Sequence, residues 1–200
     1  MKIRIANAVV IGLVALLLAA PVFFVGKGAS FRSLLNLWCD ESGWYDAKKA
    51  KTVTLEQVRA AADAAGSQVA EKDRYGHTAL MYAAESGSLD CVKFFVAKGL
   101  DINAKDLLQR TVLMNAAESG SLDCVKFLAD KGADVNAKDD NEETVLMYAA
   151  ESGELDCVKF LADKGADINA KDVTGKTVLM HAVGSHNLDC VKFLKDKGAK

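Results

Sequence analysis

Residues 105–137 read KDLLQRTVLMNAAESGSLDCVKFLADKGADVNA and residues 138–170 read KDDNEETVLMYAAESGELDCVKFLADKGADINA, the same line with seven differences in 33 positions. The period extends beyond this pair. Cys91, Cys124, Cys157 and Cys190 are each 33 apart, as are Gly99, Gly132, Gly165 and Gly198, and Thr78, Thr111, Thr144 and Thr177. A chain that repeats itself at this interval builds one supersecondary unit several times and buries each unit's apolar face against its neighbours.

The unit can be read from its residues. Thr78 is suited to cap a short helix, Ala-Leu-Met-Tyr-Ala-Ala-Glu-Ser, which Gly87 ends because glycine enters the left-handed region cheaply. A second helix starts at Ser88 or Leu89, carries Asp90 in its first turn and Lys98 in its last, both favourable to the helix dipole, and stops at Gly99. Leu89, Cys91, Val92, Phe94 and Phe95 cover more than one stripe of that helix, as a helix sandwiched between neighbours requires. Leu-Asp-Ile-Asn-Ala-Lys-Asp and a variable polar tip then lead back to the next threonine.

The pattern D-x-x-G-x-T-x-L-x-x-A-A-x-x-G-x-L-x-x-V-K-x-L-x-x-x-G-A-D-x-N-A, followed from Asp73, Asp106, Asp139 and Asp172, closely resembles the ankyrin repeat. The resemblance implies an all-α ankyrin-repeat solenoid of helix-turn-helix units and hairpin tips. Four repeats span 72–104, 105–137, 138–170 and 171–200, and Thr54 with Gln57 gives residues 52–71 the capping-box start of an N-terminal half-repeat cap. Lys195, replacing a small apolar residue, suits a solvated C-terminal cap. The family's T-P-L-H reads T-A-L-M or T-V-L-M here, with Met81, Met114, Met147 and Met180 expected as adaptable apolar packing. The tip glycine is kept at Gly76 and Gly175 but replaced by Gln109 and Glu142.

Ahead of the repeats, Ile5 to Val25 is 21 residues without a charge. At 1.5 Å rise per residue that stretch reaches about 30 Å, the thickness of a bilayer's hydrocarbon core. Residues 1–25 are therefore expected to form a transmembrane signal anchor, with a cleaved signal peptide as the alternative. Lys2 and Arg4 before the span point the N-terminus to the cytoplasm and the repeats to the extracytoplasmic, periplasmic side. Residues 26–51 read as a juxtamembrane linker with a short amphipathic helix. Phe31, Leu34, Leu35 and Trp38 share one helical face, which either lies at lipid headgroups or packs on the end of the folded domain.

Half of the residues are apolar and 26% are charged, a globular composition that excludes a disordered chain. Residues 1–51 carry +4 and residues 52–200 carry −6, and this acidic body argues against nucleic acid as a partner. The four periodic cysteines are expected as small buried hydrophobes, since helices packed about 8–10 Å apart keep equivalent sulfurs from sharing a bond or an ion. Cys39 stands outside the period and supports a second reading, an exported stress or redox accessory using it as a reactive or linking thiol. His77, His181 and His186 form no ligand pair by local spacing, and no nucleophile or phosphate-binding motif is present. No catalytic residue, cofactor, metal site or small-molecule substrate is expected.

What varies between repeats is the tips and one face of the first helix. The resemblance places protein recognition there, on a membrane-tethered module that binds an unidentified protein partner. The candidate contact residues are Arg74, Tyr75, His77 and Tyr82 in the first repeat and Leu107, Leu108 and Arg110 in the second, then Asn141, Glu143 and Tyr148 in the third and Lys176 in the fourth. Two adjacent leucines on a hairpin tip have no packing reason to be there, and interfaces use such groups as anchors.

Overall fold

The computed structural model describes residues 34–39 and 45–200. The apolar stretch 5–25 and its expected membrane span lie outside the described residues, and among those described no helix is long and apolar enough to cross a membrane.

The chain enters through a turn at residues 34–39 and a short helix, α1 (Ala47–Ala50), whose N-cap Asp46 accepts from the backbone N–H groups of Lys48 and Lys49. Helix α2 (Leu55–Ala65) follows and opens on the expected capping box: Gln57 N–H donates to the Thr54 hydroxyl, and the Gln57 amide oxygen accepts from the Thr54 N–H. A 3-10 turn over Gly66–Ala70 links α2 to the first hairpin.

Four helix pairs then repeat. They are α3 (Ala79–Glu85) with α4 (Leu89–Ala97), α5 (Val112–Glu118) with α6 (Leu122–Asp130), α7 (Val145–Ser152) with α8 (Leu155–Asp163), and α9 (Val178–Gly184) with α10 (Leu188–Asp196). Each first helix begins on its threonine, whose hydroxyl accepts from the N–H three residues on. Met114 and Met147 do more than fill space: their sulfurs accept from the Thr111 and Thr144 N–H groups at 3.3 and 3.4 Å, closing the cap from the other side. Met180, expected as packing, is 56% exposed because the described stack has no repeat beyond it to cover it.

The two helix rows pack with side chains of different size. The first helices meet through Ala83, Ala84, Ala116, Ala117, Ala149 and Ala150, all fully buried, and pack more closely on one another than the second helices do. Phenylalanine and leucine hold the second row further apart. Repeats are also stitched through polar groups. Asn136 and Asn169 accept from the Asp167 and Lys200 N–H groups, and the Cys157 and Cys190 thiols donate to the Gly120 and Gly153 carbonyls at 3.5 Å. The cysteines are buried as expected, and none of the five is in a disulfide. Burial raises the thiol pKa values of Cys91, Cys124, Cys157 and Cys190, that of Cys157 to about 12.

At the entry end the stripe at Leu34 and Trp38 is fully buried. Trp38 stacks on Tyr82 with ring planes 8° apart and tilts against Phe95, so Leu34 and Trp38 pack on the first repeat and are not available to lipid headgroups, while Phe31 of the expected stripe lies outside the described residues. Leu34, Trp38, Cys39 and Ala50 belong to the same apolar core as the repeats.

Candidate functional site

The four tips form one hydrogen-bonded row. Asp73, Asp106, Asp139 and Asp172 each fold a tip by accepting, through one carboxylate oxygen, from the N–H groups two and four residues on. Neighbouring tips are then tied by backbone: Leu107 N–H to the Tyr75 carbonyl, Asp140 N–H to the Leu108 carbonyl and Val173 N–H to the Asn141 carbonyl, at 2.9–3.1 Å. Gln109 and Glu142 adopt the same left-handed backbone as Gly76 and Gly175, with φ of 60° and 59° against 81°, so the turn survives loss of its glycine. The tips are thus a rigid rail rather than four loose loops.

Along this rail Leu107 is 67% and Leu108 43% exposed, and Val173 is exposed at the fourth tip beyond the polar Asp140 and Asn141. Arg74 is exposed with its guanidinium 4.8 Å over the Tyr75 ring, while Asn141 and Lys176 are exposed and Glu143 half-buried.

The expected helix-face aromatics are placed differently. Tyr82 and Tyr148 are buried and donate their hydroxyls to the second oxygens of Asp73 and Asp139, at 2.7 and 2.9 Å. Burial first, then those carboxylates, push both phenols well above their ordinary range. They brace tip to helix and do not join an exposed patch with the leucines. The sequence shows a variable column at 82, 115, 148 and 181, but not that the aspartate nine residues earlier receives it.

His77 and Arg110 enter a polar chain between the first two repeats. The His77 Nε2 lies 3.0 Å from both Asp106 Oδ2 and Arg110 Nη2, and Arg110 Nε donates to the same aspartate oxygen at 2.8 Å. Burial alone would raise the Asp106 carboxyl, but His77 and the Arg110 guanidinium hold it below the usual aspartate value. Beside this chain, Glu85 is driven the other way, up to about 8, by burial and by repulsion from Glu118 and Asp106 against the pull of Arg110.

At the junction of the third and fourth repeats the same positions carry different chemistry. His181 replaces tyrosine, its Nε2 3.3 Å from Asp172 Oδ2 and its Nδ1 3.4 Å from Glu151 Oε2. Glu143 brings a third carboxylate, and one ligand atom each from Glu143, Asp172 and His181 falls within 4.8 Å of the others. Local spacing could not find this group, because its members lie on two tips and one helix.

Cys39 is 3% exposed, and its backbone carbonyl accepts from Lys49 Nζ at 2.7 Å. A reactive or linking thiol has to meet its target in solvent, and this burial counts against the redox reading.

Helix pairs stacked at a 33-residue interval, with threonine caps and a rail of tips, define a repeat protein that offers an extended surface. Residues 47–139 and 113–200 match the family described as ankyrin repeats (3 copies), and the chain belongs to the ankyrin-repeat family. Ankyrin repeats indicate a protein–protein interaction module. No curated protein matches the chain.

Proposed function

We propose that the chain is a membrane-tethered recruiter that binds a protein partner along the tip rail and the adjoining concave face, with Leu107 and Leu108 as the apolar anchors. The observation carrying this reading is the pair of exposed leucines on tips fixed from both sides by backbone hydrogen bonds. Apolar groups held rigidly in water lose little conformational entropy on binding and gain their full desolvation, the combination that concentrates binding energy in few residues. Arg74 and Tyr75 precede them along the rail, and Asn141 and Glu143 follow, giving a polar rim of opposite charge at its two ends.

Tethering is supported by the charge-free stretch from Ile5 to Val25 and by the basic residues before it, which favour an extracytoplasmic placement of the repeats. Secretion after cleavage is the alternative for the same segment. Protease added outside sealed, right-side-out membranes is expected to digest the repeats, and protection would place them on the cytoplasmic side. For the anchors, Leu107→Ser/Leu108→Ser is expected to weaken partner capture from crosslinked native membranes while leaving the melting temperature nearly unchanged. Parallel loss of stability and capture would mean that the leucines serve the fold.

A further inference from the structure

The second oxygen of each tip aspartate is the probe that separates one junction from the others. At Asp73 and Asp139 it accepts a short hydrogen bond from a tyrosine, and at Asp106 it takes the Arg110 guanidinium at 2.8 Å together with the His77 imidazole at 3.0 Å. At Asp172 it meets the His181 imidazole at 3.3 Å, long for a hydrogen bond to a carboxylate, where about 2.7–2.9 Å is usual. It is, however, the separation of two ligands on one ion: bonds of about 2.0–2.1 Å in a tetrahedron place neighbouring ligand atoms about 3.3 Å apart. Glu143, half-buried on the third tip, supplies a third oxygen within 4.8 Å of both. On the far side of the ring, Glu151 faces Nδ1 at 3.4 Å. Shortened on loading, that contact would complete a carboxylate–histidine–metal arrangement, in which the outer carboxylate fixes the tautomer and leaves Nε2 to the ion.

We propose that Glu143, Asp172 and His181 form a binding site for a divalent transition-metal ion, zinc by preference, with Glu151 positioning the imidazole. The site joins the third tip, the fourth tip and α9, and the positioning residue comes from α7, so a bound ion would clamp the third and fourth repeats together. One imidazole with two carboxylates suits zinc or manganese better than calcium or magnesium, which favour all-oxygen sets. The remaining coordination position would fall to water or to a carboxylate of a docking protein.

The test is a titration of the full-length chain with Co²⁺ as a spectroscopic probe, followed by displacement with Zn²⁺. One equivalent is expected, with visible d–d absorption, no thiolate charge-transfer band, and a higher melting temperature on loading. His181→Tyr, which repeats the Tyr148–Asp139 pair already present one repeat earlier, is expected to keep the fold and lose at least 100-fold in affinity. Glu151→Gln should weaken binding by about 10- to 100-fold. Affinity for both ions weaker than about 1 mM, a thiolate band, or binding unchanged in His181→Tyr or in Glu151→Gln would overturn the proposal.

Discussion

Glu85 closes helix α3 at its C-terminal end, where the helix dipole already disfavours a negative charge. Burial, then Glu118 and Asp106, raise its carboxyl from 4.5 to about 8, with Arg110 pulling the other way. Between those two values the unfolded chain has released the proton and the folded chain still holds it. The folded state therefore binds more protons, and stability falls as pH rises through this window. At 1.36 kcal/mol per unit the full shift corresponds to about 5 kcal/mol, and because Glu85 keeps part of its surface in water, screening brings the expected loss to about 2 kcal/mol. Glu85→Gln removes the titration and keeps the shape. Urea denaturation of both proteins at intervals from pH 5 to 8.5 should show near-equal stability at pH 5 and a variant about 2 kcal/mol more stable at pH 8.5. A difference that does not change with pH, or a variant less stable at pH 8.5, would refute the reasoning.

Other perturbations address other layers of the fold. Trp38→Ala should cost about 3–5 kcal/mol in chemical denaturation, whereas Trp38→Phe should cost under about 1.5, because it also removes an indole N–H that finds no acceptor among the described residues. Gln109→Gly should stabilise by about 0.5–1 kcal/mol by relieving a left-handed non-glycine residue, while Gly76→Ala should destabilise by more than about 1 kcal/mol, since the added Cβ would stand 2.8 Å from the Leu107 nitrogen that ties two tips. Cys124→Ser, which buries a hydroxyl, should cost about 1–3 kcal/mol, and Cys157→Ser less, because the Gly120 carbonyl accepts at that position. Thiol-specific reagents at pH 8 should label the folded protein far more slowly than the denatured one, Cys39 included; rapid labelling of Cys39 in the fold would restore the redox reading.

The repeat was legible because its determinants are local and periodic. A threonine cap, a glycine stop and an apolar column at fixed spacing give the same answer in each block, and the cysteines are buried for the reason their spacing suggests. The exposure of Leu107 and Leu108 also follows from position in the hairpin. What spacing could not disclose are the contacts that join one repeat's tip to its helix or to the next repeat. Tyr82 and Tyr148 read as surface aromatics because their column varies, yet each is drawn inward by an aspartate nine residues earlier. The group at Glu143, Asp172 and His181 is invisible to a scan for ligands one helical turn apart, since it forms only when consecutive units stack. Trp38 was ambiguous for a different reason: an amphipathic stripe satisfies a membrane surface and an uncovered repeat end equally, and only the position of Tyr82 and Phe95 decides between them.

The central claim is that the partner is met on the tip rail. A photo-crosslinking amino acid placed at Leu107, at Asn141 and at Lys126 on the outer face of α6, followed by irradiation of native membranes, tests it most directly. The account predicts one common adduct from positions 107 and 141, abolished by serine at Leu108, and none from position 126. An adduct of equal yield from position 126, or one formed there alone, would contradict it.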